Sequence, residues 1–213
     1  NHNTSYVLLG GDLQFVPIRF LDDVDGMDPT EKKVSSDLYY QCLDGTYDYD
    51  NDFVYGERHD GPSGSIPDLF AEVYVGRAPV DNLADVSSFV EKTLVYEQGD
   101  LLNDDYLKQV ISAGEYVWNG EGGYGAGYLE LCIDHDEDYD QITDGIPSNR
   151  YDILKRYERD NDWTELMIMS DIDAGAAIIN HVGHGSPVSA MKLSVSDIDR
   201  LHNEGMYGLF YSQ

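Results

Sequence analysis

Short, nearly unbroken apolar runs alternate with stretches of helical periodicity along most of this chain, and that alternation admits few folds. Tyr6-Val7-Leu8-Leu9 reads as a buried strand running into a tight turn at Gly10-Gly11-Asp12. Glu72 to Val75 reads as a strand closed by Gly76, and Lys108 to Ala113 as another, broken by Gly114. Tyr151 to Leu154, Ala176 to Val182 and Met206 to Tyr211 continue the series. Asp81 or Asn82 can cap a helix through about Glu97, with Val86, Phe89, Val90, Leu94 and Val95 as its apolar stripe. A helical turn is expected around Leu129 to Ile133 and a helix over Thr164 to Ile172. Val195 to Asn203 reads as a helix capped by Ser194 or Ser196 and ended by Gly205. Strands apolar on both faces belong to parallel sheets covered on both sides. The expected fold class is therefore α/β, a mainly parallel sheet with helices on both faces. Sites in such sheets form at the carboxyl ends of strands, which points at Gly183-His184-Gly185 and at Ser212-Gln213.

The 213 residues suit one large domain or two small ones, with 1–105 and 106–213 as possible halves. With 13 basic against 41 acidic residues, the formal charge of −28 makes nucleic acid and anionic lipid surfaces poor partners. Dense carboxylates suit bound calcium, cationic substrates or a salty environment. No apolar run approaches the roughly 20 residues that cross a bilayer, so membrane insertion is not expected. No signal peptide is visible at Asn1, and a mature or processed chain would have lost one. Cys42 and Cys132 can pair or stay buried as small apolar residues, and burial is the expectation.

The run Asn180-His181-Val182-Gly183-His184-Gly185-Ser186 concentrates the chemistry. A histidine directly after a buried strand is held rigidly yet stands at the rim of the sheet. Glycine neighbours let the backbone bend and a substrate come close. The Gly185 amide can face a developing oxyanion, and an imidazole near neutrality can take and return a proton. From the triplet alone, a locally bonded and chemically idle turn histidine is an equal reading. His181, inside the strand, is expected to be a satisfied core histidine.

Gly183-His184-Gly185-Ser186 after an apolar strand resembles the histidine motif of gingipain-type cysteine peptidases, relatives of caspases, legumain and clostripain. Pro67 to Arg77 (PDLFAEVYVGR) is similar to the family's strand ending in Gly-Arg. Ser35-Ser36-Asp37-Leu38-Tyr39-Tyr40, followed by Leu43-Asp44-Gly45-Thr46, is similar to archaeal and bacterial members. The resemblance runs from about Tyr6 to Gln213. It implies a caspase-like three-layer sandwich and a secreted cysteine endopeptidase with His184 as general base. It also implies a nucleophilic cysteine immediately beyond Gln213, the chain being truncated or cleaved just before it. Natural cleavage would leave that cysteine on a second chain. A carboxylate often orients such an imidazole. The family's glutamate after a strand ending in Ser-Ala is best matched by Glu115, for which a solvated loop acid is the competing reading. Val182, Ser212 and Gln213 would line the primary specificity pocket. Gly127 occupies the position where arginine-cleaving members carry an acid, so strict arginine preference is not implied; Glu121 or Asp134 can substitute.

Asp48, Asp50 and Asp52 alternate as in calcium loops, and a Val54 carbonyl with the Glu57 carboxylate can complete a shell of hard oxygens. The pattern departs from an EF-hand, since Phe53 stands where glycine is usual and the closing glutamate comes early. A solvated acidic loop is the alternative. A second cluster, Asp134 to Asp140, reads as solvated surface. Cysteine–histidine spacing for zinc is absent, as are a phosphate loop and a Gly-x-Ser-x-Gly elbow. Calcium is the one cofactor expected, with no organic cofactor. The rival function is a non-catalytic, calcium-stabilised extracellular binding module of the same fold.

Overall fold

A computed structural model describes residues 4–22, 33–57, 59–68, 70–98, 104–120, 122–134 and 145–213. Two compact units emerge, Asn1–Glu91 and Lys92–Gln213. Among the described residues no helix is long and apolar enough to cross a membrane.

The first unit runs β1 (Tyr6–Gly10), β2 (Arg19–Asp22), β3 (Lys33–Ser36), α1 (Leu38–Gln41), β4 (Tyr74–Ala78) and the start of α2 (Leu83–Gln98), a helix that crosses into the second unit. β1 and β4 pair in parallel, with Tyr6 opposite Tyr74 and Gly10 opposite Ala78; β2 and β3 pair antiparallel. Arg77 explains why its strand ends in Gly-Arg. Its guanidinium grips Asp37 through two nitrogens, at 2.8 and 2.6 Å, and donates to the carbonyls of Gly11 at 2.8 Å and Val16 at 2.7 Å. One planar fork thus ties β4 to the turn after β1 and to the start of α1.

Two expectations for this unit need correction. β1 is not a buried strand: among the described residues it has one partner, and Tyr6 and Leu8 are 76% and 63% exposed. The helix starts as expected, with Asn82 Oδ1 accepting from the amides of Ala84 and Asp85, but Val86, Val90 and Leu94 on its stripe are exposed. Spacing specifies which face is apolar and carries no information about what covers it.

The second unit runs β5 (Gln109–Gly114), α3 (Gly125–Leu131), β6 (Asp152–Tyr157), α4 (Glu165–Asp173), β7 (Ile178–Val182), β8 (Gly185–Ser186), β9 (Ser189–Ala190), β10 (Leu193–Ser194), α5 (Val195–Ile198) and β11 (Leu209–Ser212). Strand order is β11-β7-β5-β6, parallel throughout, beside a small antiparallel sheet β10-β9-β8. Ile111 and Ala113 of β5 pack with Ile168, Met169 and Ile172 of α4 on one face. Ala126 and Leu129 of α3 pack with Tyr157 and Val182 on the other. This is the caspase-like three-layer sandwich, with the core split between two faces of one parallel sheet. Thr164 caps α4 by accepting from the Met167 amide, and Arg156 of β6 ties α4 down through Asp171 at 2.7 Å.

Two helices differ in extent from the sequence reading. α5 stops at Ile198, short of Asn203, because the His202 amide donates to the Asp173 carboxylate of α4 instead of continuing a helical ladder. α3 begins at Gly125, ahead of the turn expected at Leu129, and Gly125 brings its first turn close against β7. A Cβ on Gly125 would lie 2.4 Å from the Val182 carbonyl oxygen, and one on Gly114 would lie 2.5 Å from the Ala126 nitrogen.

Gly127, two residues on, has nothing within 4 Å of a Cβ. Gly125→Ala should therefore lower unfolding stability by about 1–3 kcal/mol through overpacking. Gly127→Ala should be neutral or stabilise by up to about 1 kcal/mol as helix propensity improves. Urea unfolding of the two variants reads this directly, and equal effects would refute the packing role.

Candidate active site

The carboxyl ends of β5, β7 and β11 meet at one rim. β7 is central, with Ala113 of β5 opposite His181 on one side and Ser212 of β11 opposite it on the other. Past the strand, Gly183 donates its N–H to the Gln213 carbonyl at 3.1 Å, and Gln213 donates to the His181 carbonyl at 2.9 Å. His184 then leaves the sheet with its side chain exposed. Gly185 opens β8, where a Cβ would meet only the Ser189 oxygen at 3.8 Å, so the space over it is open.

Glu115 follows β5 directly. It is 1% exposed, so it is no solvated loop acid. Its amide donates to the Val182 carbonyl at 2.9 Å and its carbonyl accepts from Gly125 at 2.7 Å, which seats it between β7 and α3. One carboxylate oxygen lies 3.2 Å from His181 Nε2, and the other accepts the backbone N–H of His184 at 3.4 Å. The carboxylate therefore reaches His184 through its main chain. His181 is wholly buried and bonded at both ring nitrogens, the second to Ser212 Oγ at 2.8 Å.

Val182 ends β7 and turns its side chain toward α3. Ser212 and Gln213 are exposed at the end of β11, and Gly127 is exposed in α3. Glu121 lies outside the described residues, and Asp134 is occupied by Ser148, whose amide and hydroxyl hold its carboxyl below the ordinary range. Most of the second acidic cluster, 135–140, also lies outside them.

The sequence reading missed two neighbours of His184. The β8–β10 sheet escaped because two-residue strands leave no periodicity. Glu158, just after β6, accepts the Tyr116 amide at 2.7 Å and pairs with Lys192 beyond β9. Partial burial pushes its carboxyl up, but the Lys192 ammonium and the Tyr116 N–H outweigh that and hold it below its usual value of 4.5.

In the first unit, the carboxylates of Asp48, Asp50 and Asp52 each offer an oxygen within 4.8 Å of the others. The loop is drawn in by Asp48, which accepts the amides of Asp52 at 3.0 Å and Phe53 at 3.3 Å. Phe53 has φ 69°, the left-handed conformation that glycine supplies at the matching point of calcium loops. An all-oxygen donor set converging on one point fits a hard divalent cation. Asp60, missed in the sequence, is 2% exposed beside this loop; burial, opposed by N–H donors from Glu57 and Gly56, raises its pKa. Val54 donates its amide to Asp52, and the Glu57 amide donates to Asp60. Cys42 and Cys132 are free thiols, the first buried and the second partly so.

Residues 1–213 match the model of peptidase family C25. Lys-gingipain W83 of Porphyromonas gingivalis is 21% identical over 201 residues, covering 88% of this chain and 9% of the relative. Gingipain R2 of the same organism is 28% identical over 159 residues, covering 73% of this chain and 20% of the relative. The crystal structure of the Arg-specific cysteine proteinase gingipain R superposes with a TM-score of 0.62 at 19% identity, over 97% of this chain and 39% of that one. The complex of its pro- and mature domains gives a TM-score of 0.60 at 20% identity, over 98% and 41%. The chain thus spans a fifth or less of these curated relatives and about two fifths of the solved chains.

The Glu158–Lys192 contact at this rim carries a pH signature. A carboxyl whose folded pKa is depressed adds stability above its unfolded pKa and loses it as pH falls through the folded value. The gap in urea midpoint between the parent protein and Lys192→Met should be open at neutral pH and close as acidification protonates Glu158 in the folded state. A gap independent of pH would detach the pair from stability.

Proposed function

The chain belongs to peptidase family C25, a family of cysteine peptidases, and from that premise we propose that it forms the base-bearing part of a secreted endopeptidase active site. The observation that carries this reading is the β7–β11 register. Gln213 donates its N–H to the His181 carbonyl and accepts the Gly183 N–H at its own carbonyl, so a residue following it would enter beside His184. That position is where a cysteine is required.

The chemistry follows from the placement. A cysteine thiolate attacks the substrate carbonyl, and His184 donates a proton to the departing amine, then takes one from the water that hydrolyses the thioester. Its exposure suits a group that must meet substrate and water in turn. Glu115 holds the base by its main chain, fixing where the imidazole starts from. The Gly185 amide and that of the cysteine would bind the oxyanion. Val182, Ser212, Gln213 and the open space over Gly127 would shape the primary pocket, without an acid at Gly127 to demand arginine. Peptides and proteins are the substrates, and a second chain carrying the nucleophile is compatible with a strand end held by hydrogen bonds alone.

Calcium would be held by Asp48, Asp50 and Asp52, with the Val54 carbonyl and Glu57 as further donors, and would relieve the repulsion among these acids. Its role would be structural.

In the complete protein, His184→Ala should lower kcat for peptide cleavage by at least about 100-fold with unchanged circular dichroism. Retained cleavage, or a residue other than cysteine next to Gln213, would sink the assignment. Chelation should lower the melting temperature of the parent protein but not of Asp50→Asn; parallel responses would count against calcium in this loop.

A further inference from the structure

His181 has no part in the proton transfers given to His184, yet no other side chain at the rim is so fully engaged. It is 0% exposed, with Nδ1 2.8 Å from Ser212 Oγ and Nε2 3.2 Å from Glu115 Oε1. Trp163 and Phe210 flank the ring, at centroid distances of 6.2 and 6.4 Å. Gly183 makes room for the contact: a Cβ there would lie 2.4 Å from His181 Nε2 and 2.6 Å from Glu115 Cγ. A residue kept for volume alone would be apolar here, sparing the burial of two polar partners.

The bonding order follows from donor chemistry. An ionised carboxylate only accepts, so Nε2 carries the proton facing Glu115. In the neutral ring Nδ1 is then an acceptor and the Ser212 hydroxyl donates to it; in the protonated ring both nitrogens donate. Either way one imidazole joins the end of β11 to the carboxylate whose second oxygen holds the His184 amide. Among the described residues β11 pairs with β7 alone, and all four of its residues are exposed, so its end is held from one side only.

Resting on the reading of His184 as base, we propose that His181 is a positioning residue, clamping the carboxyl end of β11 to Glu115 and so setting the distance between base and nucleophile. The clamp acts through Ser212, in the one row of the sheet that spans Ala113, His181 and Ser212. A misplacement near 1 Å at reacting atoms can cost about 100-fold in rate.

The test uses the complete protein with a short peptide substrate. Ser212→Ala removes the clamp at an exposed position. It should lower kcat by about 10- to 100-fold with the melting temperature near the parent value, and Ser212→Thr should restore most of the loss. His181→Phe should lower kcat at least as far. Unchanged kcat in Ser212→Ala, a change confined to KM, or a loss that threonine does not recover overturns the proposal. If the parent protein cleaves no peptide, the reading of His184 fails separately. Amide-exchange NMR then decides the clamp: a slowly exchanging His181 ring N–H, accelerated by Ser212→Ala, upholds it, and a rapidly exchanging one overturns it.

Discussion

Everything at the rim depends on β7 lying between β5 and β11 in parallel. Parallel pairing with matched register brings three carboxyl ends to one level, so Glu115, His184 and Gln213 become neighbours though they are far apart in sequence. A slip of one residue between β5 and β7 would turn His181 to the opposite face and put Glu115 out of reach, and one between β7 and β11 would take Ser212 away from the imidazole. The glycines defend that register sterically. Gly114, Gly125 and Gly183 each occupy a place where a methyl group would collide with backbone or with the buried pair.

The strands of the four-stranded parallel sheet were legible because the sequence holds an apolar stretch of strand length at or beside each of them. His184 was legible because its strand ends one residue before the first glycine of the triplet. The fit of Glu115 to the site was legible only as a likeness; its burial between β7 and α3 comes from long-range packing that no local pattern records. Glu158 and Asp60 left no signal, since a lone acid in an acid-rich chain looks like solvated surface until its neighbours are known. The stripe of α2 shows the opposite limit. Its periodicity is plain, and yet its apolar side chains are exposed among the described residues.

The two units use their carboxylates differently. In the second, acids are spent in pairs: Asp171 and Asp162 on Arg156, Glu130 and Asp160 on Arg159, Glu158 on Lys192. In the first, among the described residues, Asp37 is paired with Arg77, while Asp48, Asp50 and Asp52 converge on one another, an arrangement whose repulsion a divalent ion would remove. With 41 acids and 13 basic residues in the chain, pairing cannot reach every carboxylate, and loops like this one are where the surplus gathers.

The outer edge of β11 has a bearing on handling. Leu209, Phe210 and Tyr211 are 66%, 46% and 55% exposed, on a strand whose far side has no partner strand among the described residues. Such an edge is a template for any extended segment, including the same strand of another copy. Self-association through it would oppose two chains of formal charge −28, a repulsion that salt screens. Colloidal behaviour would therefore run against habit: high ionic strength, usually chosen to keep an acidic protein dispersed, would favour its clumping.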